Sequence, residues 1–440
     1  MLPPEKIDLL IEARWLIPII PPGVTLENHA VAVHGERIVA VLPIEMARAR
    51  FEPERTVALP QHVLIPGLIN LHTHAAMTLM RGIADDLPLK EWLETRIWPA
   101  EAKHVSAAFV RDGTALACAE MLRGGITCFN DMYFFPEAAA EAALEMGMRA
   151  SLGMVTLEFP TNYAADAEDY LSKGLAARDR LRNEPLVTFC MAPHAPYTVA
   201  DKTLERIVTL AAQLDLPIHI HLHETRAEVA EGLAQHGIRP LERLHRLGLL
   251  GPGLIAVHAV HLDDTEIGLL AQQGCAVAHC PTSNMKLASG IAPIAALKAA
   301  GVRVGLGTDG AASNNRLDLF QEMRHAALLA KVSSGDAARL DAHSVLRMAT
   351  LDGAAALGLD ALTGSIEAGK AADLCAVRLD AVETSPCYDP ASHLVYAAGR
   401  ELVSHVWVAG RQKLHDGVLL EYDTGRLLAA AKLWQNKLMF

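Results

Sequence analysis

The chain alternates short apolar runs with polar endings, and from about residue 65 this alternation repeats eight times. The runs are Val63–His74, Ile126–Met132, Arg149–Thr156, Val187–His194, Pro217–Glu224, Ile255–His261, Cys275–Pro281 and Val302–Asp309. Each has the length of a strand, and between them lie Ala-, Leu- and Glu-rich stretches at helical spacing, such as Ala138–Met146 and Ala227–Leu247. Strands alternating with helices predict a parallel sheet with helices outside it. Eight such units predict an α/β chain built on a (β/α)8, or TIM, barrel.

The ends of the chain have a different texture. Lys6 to Ile20 is apolar and rich in β-formers, Pro21-Pro22-Gly23 breaks it, and Ala30–Val39 reads as a hairpin. After Gly358 the chain crosses Thr363–Lys370 and returns to strands at Asp373–Arg378 and Val403–Arg411, then turns helical from about residue 420. The expected organisation is a barrel over 65–370 and a small composite β-sandwich from 1–64 and 371–440, with Leu433 to Phe440 available to pack on a neighbour.

The polar endings carry the chemistry. His72 and His74 are two apart on an extended run, so both imidazoles leave the same face. In Pro217–Glu224 the alternation throws His219, His221 and His223 to one face and Ile218, Ile220 and Leu222 to the other, and one of those histidines supplies a third ligand. His258 and His261 add imidazole, and Asp309 closes the eighth run with a carboxylate. Nitrogen and oxygen donors without thiolate suit zinc, iron or another divalent first-row metal. In a barrel of this kind the C-terminal strand ends hold the chemistry, and every one of these residues falls there.

Each candidate has a structural alternative. An isolated histidine such as His34, His236, His245 or His405 reads as a hydrogen-bonded structural residue. Asp309 has an alternative as the N-cap of the following helix. Met77, Met80, Trp92 and Trp98 are read as packing residues first and pocket residues second.

Bulk properties narrow the partners. With 440 residues and 51% hydrophobic content the chain buries a large core, and a net charge of −12 speaks against nucleic acid and anionic membranes, which need a basic face. A small, neutral or weakly charged substrate is expected. Seven scattered cysteines with no CxxC pair read as a reducing, cytoplasmic compartment. Glu5, Asp8, Glu12 and Arg14 interrupt the first apolar stretch, so no signal peptide is expected, and no apolar run reaches membrane-spanning length.

The sequence resembles the metal-dependent amidohydrolases, and within them the 5′-methylthioadenosine/S-adenosylhomocysteine deaminases. The resemblance covers nearly the whole chain and rests on Pro66–His74, His221-Leu222-His223-Glu224, Val257-His258, His279-Cys280-Pro281-Thr282-Ser283-Asn284 and Gly307–Ala311. Its His-x-x-Glu pattern is met only by His221 with Glu224, so the implied ligands are His72, His74, His221 and Asp309. It implies one metal, Zn2+ with Fe2+ fitting the same donors, because His194 stands where relatives with two metals carry a bridging lysine. It also implies that Glu101 binds the ribose hydroxyls and His194 the purine. Relatives of this kind commonly pair, and a homodimer or homotetramer is compatible with the apolar C-terminal stretch.

The implied reaction is hydrolytic deamination of an adenine nucleoside. Asp309 would take a proton from the attacking water, Glu224 would act as general acid to ring N1, and His258 would orient the nucleophile and stabilise charge on the intermediate. The resemblance implies that the region after the third strand meets the 5′ substituent, with arginines there in members that accept S-adenosylhomocysteine; here Met154 to Asp169 contains no arginine or lysine and offers Leu157, Phe159 and Tyr163. An unpaired carboxylate there costs on the order of a few kcal/mol. The expected substrate is therefore 5′-methylthioadenosine, then adenosine, with S-adenosylhomocysteine weaker. The competing readings are a chloro-s-triazine hydrolase or a guanine or cytosine deaminase on the same scaffold and, remotely, a non-catalytic metal-binding scaffold.

Overall fold

The computed structural model describes residues 3–439. Two eight-stranded sheets organise them. The first draws four strands from the beginning of the chain, β1 (Glu5–Leu16), β2 (Leu26–His34), β3 (Arg37–Pro43) and β4 (Phe51–Pro66). The second is the barrel: β5 (Leu68–Thr73), β6 (Ile126–Asp131), β7 (Arg149–Thr156), β8 (Val187–Pro193), β9 (Ile218–Leu222), β10 (Leu254–His258), β11 (Ala276–His279) and β12 (Arg303–Leu306). Then β13 (Leu374–Arg378), β14 (Val403–Val408), β15 (Arg411–His415) and β16 (Val418–Leu419) return to the first sheet, whose order is β16-β15-β14-β13-β4-β1-β2-β3. β4 is the seam, parallel to β1 and antiparallel to β13. The terminal strands thus form one continuous mixed sheet around an apolar cluster that includes Ile11, Leu64, Leu374 and Trp407.

The barrel strands are parallel neighbours in sequence order. The ring is drawn together between the last and first strands: Asp309 N–H donates to His72 O (2.9 Å), and the Asn70 amide both accepts from Thr308 N (2.9 Å) and donates to Thr308 Oγ1 (2.8 Å). That seam brings the Asp309 strand end beside the His72 strand end.

The run expected as one strand from Val63 to His74 divides at Gly67. β4 stays in the terminal sheet to Pro66, and the barrel begins at Leu68. A Cβ at position 67 would lie 2.1 Å from Thr127 Oγ1, so only glycine lets the crossing chain press this closely on β6. Arg149 of β7 clamps the two sheets from the same end, donating from Nε and Nη2 to Asp373 at 3.0 and 3.2 Å, with both side chains buried.

The helix Thr424–Leu438 packs on the barrel's own helix Ala107–Arg123, rather than only on a neighbour. Trp434 donates to Asp112 Oδ2 (2.8 Å) and meets Phe109 edge-on. Leu433 and Met439 remain exposed, and Phe440 lies outside the described residues. All seven cysteines are unpaired, six of them buried. No helix of the described residues is long and apolar enough to cross a membrane.

Candidate active site

The barrel's C-terminal mouth collects the polar residues. β5 carries His72 next to its end, with His74 just beyond it; β9 carries His219 and His221, with Glu224 past its end; β10 ends in His258; and Asp309 follows β12. The next helix, Leu319–Ser334, is capped by Asp318, so Asp309 is not its N-cap.

Four donors converge. Asp309 Oδ1 lies 3.3 Å from both His72 Nε2 and His74 Nε2, and His221 Nε2 lies 3.3 Å from His72 Nε2. Two donors held about 2.1 Å from one tetrahedral zinc would be roughly 3.4 Å apart, so this spacing fits a single ion. Proton placement fits as well. His74 donates from Nδ1 to Met132 O (2.6 Å) and His221 from Nδ1 to His194 O (2.8 Å), which leaves each Nε2 with its lone pair facing the centre. Burial pushes His72 down to about 4 and His221 well below the ordinary imidazole range. For His74 burial acts in the same direction, but hydrogen bonding and attraction to Asp309 outweigh it and hold the ring up at about 9, so without a cation Nε2 carries a proton toward Asp309, and a bound cation would displace that proton.

His219 and His223, candidates alongside His221, go elsewhere. His219 is one layer deeper in the barrel, its Nε2 3.0 Å from His72 Nδ1 and its Nδ1 3.2 Å from the Asn130 amide nitrogen, so it supports His72. His223 leaves the expected face altogether. Its φ of +53° turns the chain, and its Nε2 accepts from Leu241 N (3.1 Å) outside the barrel. Strict alternation ends at His221.

A cavity of about 460 Å³ opens above the donors, within the range of small-molecule sites. His74, His221, Glu224, His258 and Asp309 form its polar end with His194; Glu101, Met77, Trp92 and Trp98 also line it, whereas Met80 belongs to the core. Glu101 accepts from Tyr133 O–H (2.8 Å), and burial pushes its carboxyl up to about 7. Burial likewise raises Glu224, whose Oε2 is 3.8 Å from His258 Nε2. His194 is pushed down to about 3 by burial and is a neutral ring beside the cavity, its Nδ1 3.0 Å from Thr198 Oγ1. The far wall is Leu157, Phe159 and Tyr163, and among the described residues no arginine or lysine lines this cavity. Lys90 and Arg226 line an adjoining hollow that shares Leu89, Leu93, Trp98, Tyr197, Glu224 and Leu287 with the first but not Glu101.

Several residues that support the site carry no role in the sequence reading. Ser283 and Ser313 donate to Asp309 Oδ2 at 2.6 and 2.9 Å, and Asn284 Oδ1 accepts from His258 Nδ1 at 2.9 Å. Ser283 and Asn284 stand within the motif that follows β11, which is the signal that could have marked them. Tyr133 and Ser313 have no comparable mark.

Residues 63–413 match the model of the amidohydrolase family. A 5-methylthioadenosine/S-adenosylhomocysteine deaminase from Saccharophagus degradans is 46% identical over 98% of this chain and 97% of its own, and one from Syntrophobacter fumaroxidans is 45% identical over 96% and 97%. Among solved structures, an adenosine deaminase from Xanthomonas campestris with bound zinc superposes with a TM-score of 0.98 at 52% identity, covering 99% of this chain and 100% of its own. The zinc complex of atrazine chlorohydrolase from Arthrobacter aurescens superposes with a TM-score of 0.90 at 27% identity, covering 97% and 100%.

Proposed function

The chain belongs to the amidohydrolase family, in its 5-methylthioadenosine/S-adenosylhomocysteine deaminase branch, and from that premise we propose that it hydrolyses 5′-methylthioadenosine to 5′-methylthioinosine and ammonia, with adenosine as a second substrate. The observation that carries the choice is the far wall of the cavity, where Leu157, Phe159 and Tyr163 offer a thioether an apolar surface and, among the described residues, no arginine or lysine lines the cavity to receive the carboxylate of S-adenosylhomocysteine, Lys173 beside Tyr163 being paired with Asp169. Adenosine fits the same polar end, and the 52% identical Xanthomonas structure bears the name of an adenosine deaminase.

His72, His74, His221 and Asp309 would hold one divalent ion, zinc by preference with iron(II) fitting the same donors. Such an ion supplies the Lewis acidity that makes water a nucleophile at neutral pH. Asp309, a carboxylate held well below its ordinary range by its histidine partners against the effect of burial, accepts the proton that the attacking water loses. Glu224, whose carboxyl burial raises above the ordinary range, acts in its protonated form and delivers that proton to ring N1 as water adds at C6. His258, fixed by Asn284, presents Nε2 to the oxygen adding at C6. The 6-amino group then departs as ammonia, carrying the proton held by Asp309, while the C6 hydroxyl gives its proton to Glu224; this restores the acid and leaves the 6-oxo purine with its N1 proton. Glu101 accepts from the ribose hydroxyls and His194 hydrogen-bonds the purine.

The test is loss of absorbance near the adenine maximum with zinc-loaded protein and methylthioadenosine, adenosine, S-adenosylhomocysteine, adenine and guanine in parallel. Rapid conversion of methylthioadenosine with weak action on S-adenosylhomocysteine is expected. Equal kcat/KM for those two overturns the choice of tail, and turnover of a free base alone moves the chain to another branch.

A further inference from the structure

Glu228 has no part in the chemistry above, yet its carboxylate is buried directly behind the loop that carries Glu224. The loop has a geometric problem to solve. Along β9, His219 and His221 face the barrel axis, while Ile218, Ile220 and Leu222 join the apolar core. A strand continued at period two would put His223 inside and Glu224 outside. The reverse is found, because His223 adopts φ +53°, a left-handed conformation unfavourable for any residue but glycine. That single residue swings Glu224 into the cavity.

Turning out of the strand exposes two consecutive backbone N–H groups, and both are received by one side chain. His223 N donates to Glu228 Oε1 at 2.7 Å, and Glu224 N donates to Glu228 Oε2 at 2.8 Å. Glu228 is itself fixed: its N–H donates to Thr225 Oγ1 (3.1 Å), the N-cap of the helix Arg226–His236, so the carboxylate lies in that helix's first turn. We propose that Glu228 is the positioning residue for Glu224, its two carboxylate oxygens clamping the left-handed turn that aims the general acid at the substrate ring. The proposal rests on the reading of Glu224 as general acid. It requires both oxygens as acceptors: burial pushes Glu228 up to about 8 against the lowering effect of the two N–H donors, so the clamp is complete in the ionised form, and an amide would set its NH2 against one of the N–H groups.

The test is Glu228→Gln measured in two backgrounds. In the otherwise native enzyme kcat should fall roughly 10- to 100-fold, with KM and metal content nearly unchanged, the scale expected when a catalytic group is displaced by about an ångström. In a Glu224→Gln background the same substitution should cost less than about 2-fold, because a residue acting only through Glu224 has nothing left to position. An equal loss in both backgrounds overturns the proposal, since a general structural role would do that. Glu228→Asp, which keeps the charge and shortens the reach, should lose activity to an intermediate degree, and full activity there also overturns it. Hydrogen exchange separates this from the functional reading: the amides of His223 and Glu224 should exchange at least about tenfold faster in Glu228→Gln. Unchanged exchange refutes the clamp whatever the enzyme turns over, whereas faster exchange in a protein that deaminates no nucleoside supports the clamp and refutes the deaminase.

Discussion

The two oxygens of Asp309 face different company, and removing one hydroxyl tests whether that division matters. Oδ1 lies toward His72 and His74, while Oδ2 accepts from Ser283 at 2.6 Å and Ser313 at 2.9 Å. Ser283→Ala deletes the shorter bond, a hydroxyl donating to a buried carboxylate, and leaves Oδ2 with Ser313 alone. Hydrogen bonds to charged groups contribute about 1.5–3 kcal/mol. If that energy is spent holding the carboxylate in its metal-facing orientation, its loss weakens metal affinity by about 10- to 150-fold at 1.4 kcal/mol per tenfold. Loss of a partner behind a metal ligand typically costs about 10- to 100-fold, so two separate estimates agree. The surviving Ser313 places the expectation toward the lower end. The assay is zinc competition against a chromophoric chelator at fixed pH, with kcat measured at saturating metal. Ser283 also contacts Ser313 Oγ at 3.2 Å, so the double alanine variant should depart from additivity. A Ser283→Ala protein with zinc affinity within about 2-fold of the native value would refute the reasoning, because Asp309 would then be oriented by the barrel seam alone.

Three further outcomes follow from named contacts. Phe159→Arg places a cation on the far wall of the cavity and should raise the kcat/KM of S-adenosylhomocysteine relative to methylthioadenosine by about tenfold, the scale of one charge-assisted bond; an unchanged ratio would mean that the substituent does not reach this wall. The pH profile of kcat/KM should have an acidic limb: if Glu101 accepts from ribose as a carboxylate, activity is lost as pH falls through about 7; a profile with no acidic limb in the native protein removes Glu101 from that role. Arg149→Ala leaves Asp373 buried without its partner between the two sheets and should lower unfolding free energy by about 3–5 kcal/mol. Denaturant titration showing a loss under about 1 kcal/mol would mean that the seam is held by apolar packing.

Much of the fold was legible because barrel strands buried on both faces read as continuous apolar runs and helices fill the gaps between them. The division at Gly67 was not legible. Val63 to His74 is apolar throughout, and nothing in its pattern says that the first half pairs with β13 and the second with β6. The information lies in Thr127, sixty residues on, whose side chain leaves room for no Cβ at position 67. The destination of the C-terminal helix was hidden for the same reason, since its contact is Asp112, far away in sequence. Residues whose chemistry is announced by type, such as His72, His74 and Asp309, could be nominated from the sequence. Those that act by placing another residue could not, because serine, asparagine and tyrosine are common everywhere and acquire meaning only from what they face.

The histidines of β9 show why alternation is a sound guide within a strand and fails at its end. The mouth of this barrel needs side chains to point inward from positions that the pleat would send outward. The chain meets that need with left-handed residues at three of its active strand ends: His223 at φ +53°, His258 at +70° followed by Ala259 at +49°, and Asp309 at +62°. None is glycine, so each conformation is held against its intrinsic preference by neighbours. At His223 the neighbours are Glu228 and Leu241; at Asp309 they are Gly310 N–H on Oδ1 and the bond from its own N–H to His72 O. At His258 the Asn284 contact fixes the ring, while Ala259 N–H reaches back to Leu222 O on the neighbouring strand. Backbone strain therefore coincides with the residues assigned to proton transfer, nucleophile orientation and metal binding, and the groups that hold it come from adjacent strand ends. The site is accordingly a cooperative property of the barrel rim, in which displacing one strand end loosens the next.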